Sequence, residues 1–303
     1  MNPVNAVVIG LGSIGQRHAR VLGELGHDVA TVSRRVGGDH QSVAQAIAAS
    51  RPEYVVVATE TSAHAKSLQQ LAEAGFRGTV LVEKPVFSHS QPAPDYPFAR
   101  LLVGYNLRFH PVMTAFAERL AGRQAITVSA YVGQDIRDWR PGRDHRATAS
   151  ATQQAGGGVL RDLSHELDYL LWLFGPWRRV AALGGSSGTR QIEVEDHLDL
   201  LLEMTGSAAV QVHMDYLDQP GIRKIRVNLA EETIEADMIG GCLTINGKIH
   251  DVPGERDESY RKMHLAAMNG GSEPICTFAE GLAVMDLIDA SERALQSRTW
   301  ISA

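Results

Sequence analysis

Hydrophobic and polar positions in the first hundred residues predict strands that alternate with helices. Short apolar runs rich in β-branched residues are each followed by a loop and by apolar residues spaced three and four apart. That order is typical of buried parallel strands joined by crossover helices. The predicted strands are residues 5–10, 27–32, 54–58, 79–82 and 101–104. The pattern therefore predicts a doubly wound parallel sheet.

Beyond residue 124 the pattern changes to segments in which apolar and polar residues alternate, as in strands with one buried face. One such face carries Leu198, Leu200, Leu202 and Met204, and the next segment carries Val210, Val212, Met214 and Tyr216. The turn at residues 205–207 predicts a hairpin between them. The strands predicted here are residues 125–132, 179–183, 197–204, 208–216, 223–228, 233–237 and 242–245, followed by an amphipathic helix over 274–296.

Between these two regions, three glycines (residues 156–158) run into a helical pattern that continues through Tyr169. Asp162 and His165 are three residues apart, which predicts that they share one face of a single helix. Taken alone, this stretch is more often a core helix with a polar outer side than a functional site. What lies upstream changes that interpretation.

Composition and charge narrow the function classes. A length of 303 residues suggests about two domains. A net charge of -6 without a long basic run argues against nucleic-acid binding. Cys242 and Cys276 have no metal-ligand or redox spacing, and His197 and His213 are interpreted as polar residues on a sheet face, so no metal is expected. Without a signal-like leader or an apolar run of roughly 18 residues, we expect a cytoplasmic protein that does not contact membranes.

The first strand is followed by Gly10, Gly12 and Gly15, and then by a helix. Glycines in this order permit a tight turn and let a pyrophosphate approach the helix N-terminus, so the motif predicts dinucleotide binding. The later strand ends face the same crevice. The predicted cofactor contacts are Gly10, Gly12, Ser13, Ile14, Gly15, Ser33, Arg34, Arg35, Thr59, Thr61, His64, Glu83 and Lys84.

The second strand ends in Ser33, Arg34 and Arg35, where an NAD-preferring site usually carries a carboxylate. Guanidinium groups suit a ribose 2′-phosphate because arginine pairs with phosphate through two hydrogen bonds. We therefore expect NADP(H) to be the preferred cofactor and NAD(H) the alternative. The alternative interpretation is that Arg34 and Arg35 are two solvated arginines at a strand end without a role in cofactor binding.

The ordered motifs at residues 10–15 (with His18), 59–64, 83–85 and 156–168 resemble those of the Gfo/Idh/MocA family, the glucose–fructose oxidoreductase and inositol dehydrogenase group. The resemblance covers essentially the whole chain. It implies an N-terminal Rossmann domain, an α/β doubly wound parallel sheet over residues 1–106. It also implies a C-terminal α+β domain over residues 107–303, with a large, mostly antiparallel sheet and helices on one face. A homo-oligomer, dimer or tetramer, formed through that sheet is implied as well.

The resemblance further implies that Lys84, Asp162 and His165 form the catalytic group. In the usual family pattern, four positions separate the Asp from the catalytic His. In this chain His165 lies three positions after Asp162, and Glu166 lies four positions after Asp162. His165 is favoured because an imidazole exchanges a proton near neutral pH. A second departure is the Pro-rich stretch at 88–100, where an irregular connection replaces a helix.

Several polar residues are candidate contacts for a small, sugar-like substrate. They are Asn106, Arg108, Trp139, Arg140 and Arg146. Structural roles at the domain junction are the alternative for Asn106 and Arg108, and local Arg–Asp pairing is the alternative for the loop at 134–146. The nucleic-acid interpretation of this loop is disfavoured because its aspartates offset its arginines.

These features predict an NAD(P)-dependent oxidoreductase that transfers a hydride between a nicotinamide and a secondary hydroxyl or keto carbon of a sugar, cyclitol or sugar derivative. One alternative is a cofactor-retaining glycosidase on the same scaffold. A second is a dinucleotide-binding sensor or regulator without catalysis.

Overall fold

The computed structural model describes residues 3–33, 37–92, 94–140, 142–154, 156–271 and 274–303. The strands are β1 (Asn5–Ile9), β2 (Asp28–Val32), β3 (Tyr54–Val57), β4 (Thr79–Val82), β5 (Arg100–Val103), β6 (Thr127–Gly133), β7 (Trp177–Gly185), β8 (His197–Met204), β9 (Ser207–Asp215), β10 (Ile222–Asn228), β11 (Thr233–Asp237), β12 (Cys242–Ile245), β13 (Lys248–Asp251), β14 (Cys276–Thr277) and β15 (Ile301–Ser302).

The helices are α1 (Ser13–Glu24), α2 (Val43–Ser50), α3 (His64–Glu73), α4 (Pro111–Leu120), α5 (Val159–Asp162), α6 (His165–Phe174), α7 (Glu258–Asn269) and α8 (Phe278–Ser297). Short 3-10 helices cover Thr61–Ala63, Asn106–Phe109, Ile136–Asp138, His145–Ala147 and Ala149–Ala151. Among the described helices, none combines the length and the apolar character that a bilayer crossing requires.

The chain forms two compact units, and the first comprises residues 1–109 and 256–282. Its sheet has the strand order β14-β5-β4-β3-β1-β2, in which only β14 pairs antiparallel. All four residues of β3 are buried, as expected for a strand covered on both faces. The doubly wound parallel sheet predicted from the sequence is confirmed.

The second unit comprises residues 110–255 and 283–303 and contains a nine-stranded sheet in the order β13-β12-β11-β10-β6-β9-β8-β7-β15. The pair β6–β9 is parallel, and the other neighbouring pairs are antiparallel. The predicted core residues of the β8–β9 hairpin, four on each strand, are all buried. The large, mostly antiparallel sheet is confirmed.

The structure differs from the sequence-based division in one respect. The first unit extends to residue 109 and takes back residues 256–282, which the prediction placed in the second domain. The physical reason lies in α7, where Met263 and Ala267 are fully buried in the same apolar cluster as Val8 and Val56 of the parallel sheet. This helix was not predicted, and neither was β13, whose four residues are all exposed and show no alternation.

The Pro-rich connection behaves as predicted. Apart from position 93, which lies outside the described residues, the segment from 84 to 99 forms neither helix nor strand. The Lys84–Pro85 peptide bond is cis.

Candidate active site

The turn after β1 has the backbone form that a dinucleotide needs. Gly10 has a φ of +98°, and a Cβ there would lie 2.5 Å from the carbonyl oxygen of Ala58, so only glycine suits this position. A Cβ at Gly15 would overlap the Gly10 carbonyl oxygen, whereas a Cβ at Gly12 would meet nothing within 4 Å. Gly10 therefore permits the turn, Gly15 permits the close contact of the helix with that turn, and Gly12 leaves an open backbone surface. These three roles are the ones that a bound pyrophosphate requires.

The open surface lies at the start of α1. Gly12 caps this 12-residue helix without a side-chain hydrogen bond, and Ser13 and Ile14 form its first turn. Amide groups at a helix start favour anions. The predicted cofactor contacts from Gly10 to Gly15 thus lie together on one turn.

The end of β2 carries a feature that the sequence did not reveal. Ser33 follows the strand and donates its backbone N–H to the carbonyl of His40. Asp39 folds back beside this strand, where its Oδ2 accepts hydrogen bonds from the backbone and hydroxyl of Thr31 at 2.9 and 2.7 Å. These bonds lower the pKa of Asp39. The predicted cofactor contacts Arg34 and Arg35 lie outside the described residues.

At the end of β3, Thr59 and Thr61 lie in the connection to α3 and His64 is its first residue. His64 is 1% exposed, and its ring nitrogens lie 3.2 Å from the Thr59 carbonyl oxygen and 3.1 Å from those of Pro85 and Val86. Burial lowers the pKa of His64 despite these bonds. His64 therefore links the two loops that follow β3 and β4, and its role as a direct cofactor contact stays a prediction.

Glu83 is buried directly before Lys84, at the end of β4. Its Oε1 lies 2.8 Å from Nε2 of His18 on α1, and its Oε2 accepts the backbone N–H of Lys84 at 3.1 Å. Burial alone would raise the pKa of Glu83, but the hydrogen bond from His18 and the charge of Lys84 lower it. Glu83 is thus a carboxylate that holds the Lys84 backbone, and Lys84 itself is half-buried.

Two of the predicted substrate contacts are structural. Asn106 is buried and donates to the Ser259 hydroxyl at 2.8 Å. Arg108 is 2% exposed and donates to Oε1 of Glu280 at 3.0 Å. Both partners belong to residues 256–282, which return to the first unit. The structure therefore supports the alternative of a structural role, because buried polar groups with protein partners are not available to a substrate.

The helix expected to carry Asp162 and His165 is broken in two. Asp162 ends α5, Leu163 and Ser164 form a turn, and His165 begins α6. The prediction of one continuous helix is wrong, because the backbone leaves the helical conformation at Leu163 (φ −97°, ψ 25°) and the helix starts again only at His165. Both candidate residues are half-buried.

Asp162 is positioned by a residue that the sequence interpretation missed. The Tyr216 hydroxyl donates to Oδ2 of Asp162 at 2.8 Å. Burial and the neighbouring carboxylate raise the pKa of Tyr216 well above its ordinary value, so the hydroxyl keeps its proton. Tyr216 was predicted only as a core residue of a strand, and its hydroxyl at the strand's end was the available signal.

Glu166, the alternative to His165, is fully buried in the second unit. Its Oε1 accepts a hydrogen bond from the Nε–H of Arg223 at 2.9 Å and lies 3.4 Å from the Tyr169 hydroxyl. A buried carboxylate of this kind is held as an ion pair. Glu195, partly buried in the same unit, accepts the Leu160 backbone N–H at 3.3 Å, and burial raises its pKa.

The arginine-rich loop is largely ordered by its own charges. Arg146 forms a two-pronged pair with Asp144 at 2.9 and 2.8 Å, which supports the alternative of local pairing. Trp139 contacts Tyr216 edge to face, with ring centroids 5.2 Å apart. Trp139 and Arg140 line a shallow surface pocket with Arg143. Within the described residues no group of three His, Cys, Asp or Glu side chains is arranged to hold a metal ion.

Comparisons with known proteins agree with this architecture. A model described as the oxidoreductase family with an NAD-binding Rossmann fold matches residues 4–95, and a GFO/IDH/MocA C-terminal domain model matches residues 126–235. The chain belongs to the Gfo/Idh/MocA family. It is therefore an oxidoreductase with an NAD-binding Rossmann fold. A search of curated proteins gave no match.

Solved structures share the fold of this Gfo/Idh/MocA chain at low identity. GenD2 from gentamicin A biosynthesis, in complex with NAD, is 22% identical with a TM-score of 0.81, covering 100% of this chain and 97% of GenD2. A putative NADPH-dependent oxidoreductase from Desulfitobacterium hafniense is 18% identical with a TM-score of 0.82, covering 100% and 98%. The WlbA dehydrogenase from Bordetella pertussis, in complex with NADH and UDP-GlcNAcA, is 19% identical with a TM-score of 0.79, covering 100% and 99%.

Proposed function

We propose that this protein is an NAD(P)-dependent dehydrogenase that transfers a hydride between the nicotinamide and a secondary hydroxyl or keto carbon of a sugar, cyclitol or sugar derivative. The observation that carries this proposal is the separation of His165 from Glu166. The carboxylate is buried in an ion pair, while the imidazole begins α6 half-exposed. This leaves His165 as the group suited to exchange a proton with a substrate hydroxyl.

The three candidate catalytic residues then have distinct roles. His165 takes the hydroxyl proton, and the Lys84 ammonium stabilises the charge that develops on the same oxygen. Asp162, held by Tyr216 at 2.8 Å, orients a substrate hydroxyl or the lysine. The bound dinucleotide supplies the hydride acceptor, and the open backbone at Gly12 is suited to its pyrophosphate.

For the cofactor, we propose a preference for NADP(H) carried by Ser33, Arg34 and Arg35 at the end of β2. Asp39, the carboxylate beside this strand, is already engaged by Thr31. The ratio of kcat/KM for NADP and NAD tests the preference, and a clear preference for NAD would overturn it.

For the substrate, we propose that Trp139 and Arg140 provide contacts from the loop after β6. Arg140 and Arg143 lie beside Trp139 in this loop, and their guanidinium groups suit a sugar that carries an anionic group, because guanidinium groups bind carboxylate and phosphate. The UDP-GlcNAcA in the WlbA complex is a ligand of this chemistry. Sugar nucleotides and uronic acids are therefore the first compounds to test.

For the assembly, we propose a homo-oligomer formed through the second unit's sheet. Leu183 on β7 and Leu201 on β8 are 71% and 53% exposed. Exposed apolar side chains on one sheet face are typical of an interface. Light scattering should give a mass of two or four chains, and Leu201→Arg should lower it; a monomeric wild type would contradict the proposal.

The catalytic proposal is tested with Lys84→Ala in a spectrophotometric screen of sugar derivatives. We expect the reduced cofactor to accumulate with at least one substrate in the wild type. In Lys84→Ala, kcat should fall by a factor of about 10² to 10⁴ while dinucleotide binding by calorimetry persists. Dinucleotide binding without turnover of any sugar would instead support a regulator, and full activity of Lys84→Ala would remove the lysine from the site.

A further inference from the structure

A chain of four buried polar side chains runs through the first unit behind Lys84. The Tyr54 hydroxyl lies 2.9 Å from Nδ1 of His264, and Nε2 of His264 lies 3.0 Å from Nδ1 of His18. Nε2 of His18 lies 2.8 Å from Oε1 of Glu83. Tyr54, His18 and His264 are each at most 1% exposed. The chain joins the start of β3, α7, α1 and the end of β4.

The chemistry of its two ends gives the chain one direction. Glu83 is a carboxylate and can only accept, so Nε2 of His18 must carry a proton. If His18 is neutral, its Nδ1 accepts from His264, whose Nδ1 in turn accepts from Tyr54. Every donor and acceptor in the chain is then satisfied.

The alternative is a doubly protonated His18 that donates in both directions. His264 would then donate to the Tyr54 oxygen, and the Tyr54 hydroxyl proton would need another acceptor. Within the described residues, His264 is the hydrogen-bond partner that Tyr54 has. A buried donor without an acceptor is unfavourable, so the one-way neutral chain is the more stable arrangement. Burial also lowers the pKa of His264 well below its ordinary value.

We propose that Tyr54, His264 and His18 are positioning residues, which hold the Glu83 carboxylate through a one-way hydrogen-bond chain and through it the Lys84 peptide. The link to Lys84 is the bond from its backbone N–H to Oε2 of Glu83 at 3.1 Å. The far end of the chain is a buried hydroxyl, so the chain anchors Glu83 and does not conduct protons to solvent. Its catalytic consequence rests on the proposed role of Lys84.

The proton positions are tested by imidazole NMR on histidine-labelled protein. We expect both His18 and His264 to carry their proton on Nε2, as the one-way chain requires. Assignment uses His18→Gln and His264→Gln. A doubly protonated His18, or protonation of either ring on Nδ1 alone, would overturn the proposed direction.

The positioning role is tested with Tyr54→Phe, which removes only the terminal donor. The Nδ1 resonance of His264 should shift because it loses its donor while Nε2 keeps the proton that His18 accepts, exchange of the Lys84 amide should speed up by about tenfold, and kcat should fall by about tenfold. Dinucleotide affinity should remain within about twofold of the wild type. The control is Tyr96→Phe, a half-buried tyrosine of the same unit whose ring stacks on Phe98, and it should leave all four measurements unchanged.

A second variant keeps the test decisive if Tyr54→Phe does not fold. In Glu83→Gln the amide oxygen can still accept from His18, but the NH₂ group then faces the Lys84 N–H, a donor against a donor. Lys84 amide exchange should rise while His264 keeps its tautomer. Unchanged Lys84 exchange in the folded variants would refute the positioning role. If the exchange of the Lys84 amide rises in these variants but the wild type turns over no sugar, the hydrogen-bond chain is supported and the proposed function is contradicted.

Discussion

The two units stabilise their buried polar groups in opposite ways. In the first, His18 and His264 form a hydrogen-bond chain that ends at one carboxylate, and burial keeps the pKa of His264 low. In the second, His213, with its side chain 24% exposed, lies between Asp199 and Asp215, and the bond to Asp215 raises its pKa to about 9. Both ring nitrogens are engaged in each region. Solvent access and the number of carboxylates decide whether the ring is charged.

On α6, the half-buried His165 and the buried Glu166 differ in the same way in their access to solvent. Substitution of His165 gives the largest expected effect on kcat. His165→Asn should lower kcat by a factor of about 10² to 10⁴, because it removes the proton acceptor. Glu166→Gln should retain kcat but lower the free energy of unfolding by about 3 kcal/mol, because Arg223 loses its buried partner. Kinetics and denaturant unfolding of both variants check this. Loss of kcat in Glu166→Gln at unchanged stability would reverse the assignment.

The turn after β1 combines close backbone contacts with an open surface, and two glycine variants can separate these two features. Gly15→Ala places a methyl group against the Gly10 carbonyl oxygen and should destabilise the protein by about 1–3 kcal/mol. Gly12→Ala has open space, so stability should stay near that of the wild type while dinucleotide affinity falls. Urea unfolding and calorimetry measure both. Equal loss of stability in the two variants would contradict the separate roles of these glycines.

The sequence predicted the first unit's sheet well because its signals are local. Continuous apolar runs and glycine turns identify buried parallel strands wherever they lie in the chain. The return of residues 256–282 to this unit is a long-range fact, and nothing in the spacing of Met263 and Ala267 says which sheet they cover.

The candidate site was predicted by residue type but not by geometry. Asp162 and His165 were identified, yet the helix between them is broken after Asp162. The partners that decide each role are distant in sequence: Tyr216 for Asp162, Arg223 for Glu166, and His264 for His18. Pairings across 54 to 246 positions follow from the folded sheet, and residue spacing does not encode them.

His213 in the second unit should make the free energy of unfolding depend on pH. The folded pKa of His213, about 9, lies above its unfolded value of 6.5. The interactions of His213 with Asp199 and Asp215 therefore stabilise the folded protein fully below about pH 6.5, and this stabilisation is lost as the pH rises through 9. Because Asp199 is 48% exposed, solvent screening reduces the effect to about 1–2 kcal/mol. The loss, measured by urea unfolding from about pH 6 to pH 10, should disappear in His213→Gln. The same loss in that variant would assign it to other groups.

The smallest expected effect concerns the hydrogen bond that the Tyr216 hydroxyl donates to Asp162. Tyr216→Phe removes the hydroxyl but keeps the ring that Trp139 contacts edge to face, so packing is preserved. Asp162 is half-buried and can recruit water, and the stability loss should therefore be only about 1 kcal/mol. If Asp162 orients the substrate or the lysine, kcat should fall by about tenfold. Tyr169→Phe is the matched control, because it removes a buried hydroxyl of the same unit that lies 3.4 Å from the Glu166 carboxylate, outside the proposed catalytic group. A fall in kcat equal in both variants would assign the effect to a general loss of packing instead of the hydrogen bond to Asp162.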